Sequence, residues 1–178
     1  ISISEYKISD SPDFDLSQLK TYHCEQTEIE VIDPYIDYIE LMQKIFDFKK
    51  INKLLTSNFR FVFDAMNGVT GPYAKKIFED ILGAPQGTVI NSTPKEDFGG
   101  LHPDPNLIYA KHLIDLMYSE VAPDFAAAND GDGDRNMILG TSFFVTPSDS
   151  LAIITDNYKL IPAYKKGIFG VAKSAATS

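Results

Sequence analysis

The chain reads as an α/β fold with a mainly parallel sheet and helices on both faces. Three observations point there. Short runs rich in aromatic, β-branched or small apolar residues, at 59–63, 88–90 and 125–128, have the length and composition of strands. Between them lie segments with apolar residues at helical spacing, at 34–48, 72–82 and 107–119. Glycine and proline mark most of the boundaries. Strands alternating with helices of this length build βαβ units, and right-handed crossovers lay such strands side by side in parallel.

In order along the chain, residues 1–30 are mixed. Ile1, Ile3 and Glu5 alternate with polar neighbours, and Ser9-Asp10-Ser11-Pro12-Asp13 reads as a turn, so a connector with one edge strand is expected. Over 34–48, Tyr35, Ile39, Met42 and Phe46 share a helical face, Pro34 suits a first turn and Asp33 can cap it. Phe59-Arg60-Phe61-Val62-Phe63 reads as a strand, followed by the turn Asn67-Gly68-Val69-Thr70-Gly71. Pro72 opens a second helix carrying Tyr73, Ile77, Ile81 and Leu82, and Gly83 stops it. Thr88-Val89-Ile90 is a short strand. The prolines and glycines between Pro94 and Asn106 require an irregular loop. A third helix over 107–119 presents Leu107, Ala110, Leu113, Leu116 and Met117. The small residues of Phe125 to Ala128 suit a sheet centre, and Asn136 to Leu139 suits a strand paired after a turn. Ser148-Asp149-Ser150 is expected to cap a fourth helix over about 149–159, and Ile168 to Val171 to form one more strand.

Bulk properties exclude several function classes. The 178 residues are 44% hydrophobic, which supports a packed core rather than disorder. The formal net charge of -9 disfavours nucleic acid, since no basic patch is present to neutralise phosphates. Lys49-Lys50, Lys75-Lys76 and Lys165-Lys166 read as solvated faces. The single cysteine, Cys24, excludes an internal disulfide and suits a reducing cytoplasm. No apolar run approaches the ~18 residues of a transmembrane helix. Because the chain opens at Ile1 and stops at Thr177-Ser178, it is expected to be part of a larger protein.

The chemistry concentrates in Asp130-Gly131-Asp132-Gly133-Asp134-Arg135, between the apolar runs Phe125–Ala128 and Met137–Leu139. Alternation brings several carboxylate oxygens near one point, and glycines permit sharp turning. Three such charges repel unless a cation sits among them, and a hard divalent ion such as Mg²⁺ takes oxygen ligands while leaving positions open for phosphate. Four readings compete. A calcium loop of the EF-hand kind needs Gly at position 6 and Glu at position 12, where this chain has Arg135 and Thr141. An aspartyl-phosphate nucleophile fits an Asp after a strand, but the glycines suit a ligand loop better. A plain polar turn has no use for three aspartates and an arginine. The fourth is a Mg²⁺ site for phosphoryl transfer, where the metal neutralises phosphoryl oxygens and the protein positions them.

Other candidates are weaker. The loop Asp64 to Gly71 could seat a phosphate before a helix, although a tight strand-to-helix turn explains its glycines, and Pro72 removes a donor. His102 could act as ligand or acid-base group, but fixing a rigid loop by hydrogen bonding is the simpler reading. His23 and His112 show no supporting constellation, and no Ser/His/Asp, Cys/His or CxxC arrangement is detectable.

The longer motifs carry a resemblance. Asp130 to Arg135 followed by Asn136-Met137-Ile138-Leu139-Gly140 resembles the metal loop of the α-D-phosphohexomutases. Asp64 to Tyr73, Asp97 to Asn106 and Phe143 to Ser150 resemble the eukaryotic phosphoglucomutase and parafusin branch of that family. The resemblance covers the chain from about residue 28 and implies one domain of a four-domain phosphohexomutase. Residues 1–29 would then be the tail of a preceding domain, 30–160 the metal-binding second domain and 161–178 the start of a third.

It also implies that Asp130, Asp132 and Asp134 bind Mg²⁺ together with a phosphoserine from the first domain. Asp134, Arg135 and Thr177 would be the substrate-binding residues. No catalytic residue is expected here, because the Ser-His-Asn-Pro loop, the Gly-Glu-Glu-Ser sugar loop and a last-domain phosphate loop are all missing from this stretch. Ala175-Ala176 stands where the family has Met-Pro, Lys173 where an arginine is usual, and the stretch from Gly140 to Phe143 is short. The implied activity is interconversion of glucose 1-phosphate and glucose 6-phosphate through glucose 1,6-bisphosphate. The expected partners are those hexose phosphates and the other domains of the same polypeptide. The alternative is a parafusin-like scaffold or signalling phosphoprotein in exocytosis.

Overall fold

Five strands form the central sheet in the order β4-β3-β5-β6-β7, and two helical layers cover it. The computed structural model describes residues 5, 6 and 13–173. Thr177 lies outside the described residues, as do Ile1, Ile3 and the stretch Ser9 to Pro12. Contacts divide the chain into two units, Ile1–Tyr38 and Ile39–Ser178.

In the first unit, β1 (Thr21–Cys24) and β2 (Thr27–Glu30) pair as an antiparallel hairpin. One edge strand was expected here, but two form. Thr-rich, alternating segments closed by Glu25 at φ 53° pair with each other and leave little apolar signal. Phe14 packs edge-on against Tyr22, with ring centroids 5.1 Å apart.

Helix α1 (Ile36–Ile45) starts two residues after Pro34, where the Asp33 carboxylate accepts the Tyr35 N–H at 2.8 Å. The helix expected over 34–48 is α1, and a further helix that was not expected follows it. Asp47 separates the two by capping α2 (Phe48–Leu55), accepting the Lys50 N–H at 3.2 Å.

The sheet proper begins with β3 (Phe61–Asp64), which runs parallel to β4 (Val89–Ile90) and to β5 (Phe125–Asn129). β6 (Asn136–Gly140) and β7 (Phe143–Val145) continue antiparallel from β5. The sheet is therefore mixed, with two parallel and two antiparallel pairings. The short 140–143 stretch is a tight hairpin turn in which Ser142 takes a φ of 55°.

Period-two alternation sends side chains to both faces. Ala126 and Ala128 of β5, with Met137 and Leu139 of β6, pack against Leu113 and Met117 of α4 (Lys111–Met117) on one face. Phe63, Val89 and Ala127 pack against Ala74 and Phe78 on the other. The second layer is α3 (Thr70–Ala74) running on as a π-helix over Lys75–Ile81, whose wider turn shows in the Leu82 N–H bond to the Ile77 carbonyl.

Helix α4 is shorter than the expected 107–119. Asn106 ties off the preceding turn, its side-chain carbonyl accepting the Ile108 and Tyr109 N–H groups at 2.9 Å. α5 (Pro147–Asp156) starts at Pro147, ahead of the expected Ser148-Asp149-Ser150 cap, because proline takes the first helical position readily. Ile168 to Val171 forms no strand, the run being too short and too broken by Gly167 and Gly170 to hold one.

Candidate metal centre

β5 leads straight into the acidic loop, so the loop sits at the carboxyl end of a strand within the parallel half of the sheet. Alpha/beta folds place ligands there. β6 returns from it in full register, from Asn129↔Asn136 to Phe125↔Gly140, which makes residues 130–135 the tip of a β-hairpin.

The three aspartates do converge. Asp130, Asp132 and Asp134 each offer an oxygen, and these oxygens lie within 4.8 Å of one another. Their environments differ. Asp130 is 1% exposed, whereas Asp132 and Asp134 face solvent. Asp130 also organises the loop: one oxygen accepts the Gly133 and Arg135 N–H groups at 3.0 Å, and the other accepts Arg135 Nε at 2.9 Å. Burial works against charge on Asp130, but the Arg135 N–H, then its guanidinium bond and charge, outweigh it and hold the carboxyl below the ordinary value. Asp134 goes the other way. The charge of Asp132, then that of Asp130, pushes its carboxyl upward. An all-oxygen set whose members repel one another fits a hard divalent cation, since such an ion relieves that repulsion. Of the two glycines expected to turn the loop, Gly133 takes a left-handed φ of 84°.

Arg135 is clamped from two sides. Asp130 takes Nε, and Asp104 takes Nη1 at 2.8 Å. Asp104 is itself held, because Asn106 Nδ2 donates to its other oxygen at 2.8 Å. The guanidinium plane is thus set by the irregular loop before α4 as well as by the metal loop, and these bonds also strengthen its hold on its proton. The side chain keeps 61% exposure, so it is oriented but reachable.

Two further segments lock the loop in place. The Gly131 N–H donates to the Pro103 carbonyl at 3.2 Å, and its carbonyl accepts the Val69 N–H at 3.0 Å. The second contact depends on Gly68, where an added Cβ would stand 2.7 Å from the Gly131 carbonyl oxygen. The glycines of the Asp64–Gly71 turn therefore serve close packing against the metal loop. His102 fixes its loop by stacking on Tyr109, with ring centroids 4.0 Å apart and planes 8° from parallel, rather than by a side-chain hydrogen bond.

Sequence reasoning missed three partners. His112 does have a constellation: its Nε2 pairs with the carboxylate of Asp64, which is fully buried. Asp64 also accepts the Met66 N–H at 2.8 Å and Asn91 Nδ2 at 2.9 Å, so it anchors the turn that reaches Gly131. His23 faces Glu28 across the β1–β2 hairpin at 3.7 Å. Asp104 was read only as part of a rigid loop. The signal that could have singled it out is an acidic residue fixed between two prolines, Pro103 and Pro105. No helix among the described residues is long and apolar enough to cross a membrane.

Comparison with known proteins points to one family. The alpha/beta/alpha domain II of the phosphoglucomutase/phosphomannomutase family matches residues 33–142. The chain is 55% identical, over its whole length, to 28% of the chloroplastic phosphoglucomutase 1 of Marchantia polymorpha. It is 54% identical to a phosphoglucomutase of Rhizobium radiobacter, matching 99% of this chain and 32% of that one. In three dimensions it is similar to the open form of the exocytosis-sensitive phosphoprotein pp63/parafusin, a phosphoglucomutase from Paramecium. That match has a TM-score of 0.86 and 47% identity, over 93% of this chain and 31% of the other. The chain thus spans about a third of the length of the curated relatives it matches. It belongs to the phosphoglucomutase/phosphomannomutase family and contains that family's second, α/β/α domain.

Proposed function

We propose that the polypeptide carrying this segment interconverts glucose 1-phosphate and glucose 6-phosphate through a phosphoserine and glucose 1,6-bisphosphate. In this reading the segment holds Mg²⁺ on Asp130, Asp132 and Asp134. The observation that carries it is the meeting of three carboxylates within 4.8 Å beside an oriented guanidinium, at the carboxyl end of a sheet strand. When bound, Mg²⁺ supplies charge neutralisation at the phosphoryl oxygens.

The residues of this chain do the rest of the positioning. Asp130 fixes the loop backbone and leaves the exposed carboxylates of Asp132 and Asp134 to complete the ligand set. Asp130 and Asp104 occupy Nε and Nη1 of Arg135, so its remaining Nη2 donors are left for a phosphate or sugar oxygen. The reacting serine, the sugar-reading loop and Thr177's contact belong to parts of the reaction outside the described residues. We place the parent protein in the cytoplasm, a reducing compartment that suits a lone Cys24.

The full-length protein, with its serine phosphorylated, should convert glucose 1-phosphate in the presence of Mg²⁺. Asp132→Ala should lower both metal affinity and turnover by about 100-fold or more. No turnover by the phosphorylated wild type would sink the mutase reading and leave the scaffold role known by the name parafusin. Unchanged metal affinity in Asp132→Ala would sink the ligand assignment.

A further inference from the structure

We infer that Lys95 is a second cationic contact for the phosphate group of the hexose phosphate at the metal loop; this rests on the proposed mutase reading. A cleft of about 560 Å³ opens beside the loop, and Lys95 lines it together with Asn67, Phe98, Asp130, Asp132 and Arg135.

The cleft needs such a charge. Its aspartates and Glu96 carry three negative charges, and the chain as a whole carries -9. Asp134 of the same ligand set adds a fourth, so a divalent ion with Arg135 leaves one negative charge, and Lys95 is what brings the loaded site to neutrality for a phosphate. Arg135 is already committed to Asp130, Asp104 and Asp134, which lie 2.9, 2.8 and 3.7 Å from its nitrogens. The ammonium of Lys95 meets no carboxylate among the described residues, whereas Lys44, Lys50, Lys76 and Lys111 are each ion-paired.

Lys95 is also held in position. Its N–H donates to the Asn67 carbonyl at 3.0 Å, and its own carbonyl accepts the Phe98 N–H at 3.0 Å. Its tail lies in the space a side chain at position 99 would take, with Cδ and Nζ 3.3 and 3.2 Å from where a Cβ on Gly99 would stand. The anchored backbone reduces the freedom this lysine loses on meeting an anion.

The test uses the full-length protein loaded with Mg²⁺, comparing wild type, Lys95→Met and Lys95→Arg. Calorimetric titration with glucose 1,6-bisphosphate should show binding weakened about 5- to 20-fold in Lys95→Met and restored to within about 2-fold in Lys95→Arg. KM for glucose 1-phosphate should rise by the same factor with kcat little changed, while Mg²⁺ affinity and melting temperature stay at wild-type values. Unchanged bisphosphate affinity in Lys95→Met overturns the inference. So does an equal loss in Lys95→Arg, or a loss that follows lowered melting temperature and Mg²⁺ affinity. Failure of the mutase reading looks different: the wild type would bind the bisphosphate without turning over glucose 1-phosphate.

Discussion

Asp104 and Arg135 are 31 residues apart in the chain and 2.8 Å apart in space. The bond joins the loop before α4 to the metal loop and fixes the plane of the guanidinium. Asp104→Ala should free that plane without touching Asp130, Asp132 or Asp134. We expect KM for glucose 1-phosphate in the full-length protein to rise about tenfold, with Mg²⁺ affinity within about twofold of wild type. A KM that does not move would show that Asp130 alone orients Arg135.

Asp130 carries structural weight beyond any metal. It is buried and accepts three hydrogen bonds, two of them from Arg135. Asp130→Asn keeps the shape but removes the charge those bonds rely on, and should cost about 1.5–3 kcal/mol of stability in urea denaturation without metal. Its folded-state pKa lies below 3.8, so the stability it contributes is present above that value and is lost as pH falls through the lowered pKa. The gap between wild type and variant should close on acidification.

Asp134 should behave in the opposite sense. Repulsion by Asp132, then by Asp130, raises its pKa above 3.8, so the metal-free folded state binds this proton more tightly than the unfolded chain does. Its ionisation therefore lowers stability as pH rises through that window. Asp134→Asn should melt higher than wild type at neutral pH without metal, with the difference vanishing toward pH 3.8. The same variant should bind Mg²⁺ more weakly. A lower melting temperature at neutral pH would mean the repulsion is not present in the folded state.

Gly68→Ala tests the docking of the turn on the metal loop. The new Cβ would meet the Gly131 carbonyl at 2.7 Å, backbone that cannot rotate away. Moving that carbonyl should cost about 1–3 kcal/mol and weaken Mg²⁺ binding about tenfold. Wild-type metal affinity would show that the loop holds its shape without this contact.

His112, on α4, reaches from a partly exposed position to the fully buried carboxylate of Asp64. His112→Leu leaves the fully buried Asp64 carboxylate with two donors instead of three, and should cost about 1–3 kcal/mol in denaturant unfolding. Asp64→Asn combined with His112→Leu should cost less than the sum of the single changes, because the two groups are partners.

How far the sequence carries can be judged from particular residues. The alternation of Phe61, Val62 and Phe63, and the alanines from Ala126 to Ala128, made β3 and β5 legible, because burial on both faces selects those residue types. The convergence of Asp130, Asp132 and Asp134 was legible because their spacing is local. Helix α2 was hidden: Asp47 is an ordinary cap signal, but no glycine or proline accompanies it to mark a new element after the expected helix. The β1–β2 hairpin was hidden because its strands bury almost nothing. Asp104 and the Asp64–His112 pair were out of reach for another reason. Their roles exist only through neighbours 31 to 48 residues away, and spacing within one segment cannot show that.

The acidic loop is a hairpin tip, and this bears on the order of folding events. Asp130, Asp132 and Asp134 lie between strands that pair residue by residue from Phe125↔Gly140 to Asn129↔Asn136. Such a hairpin can close on the microsecond scale from local contacts alone, whereas the parallel pairing of β3 with β5 and the approach of Asp104 require distant chain to return. The carboxylates are thus brought together early, while their repulsion still opposes closure. A divalent ion in the medium would remove that opposition at its source and speed formation of the hairpin, so the cofactor of the finished protein would act first as a folding nucleator.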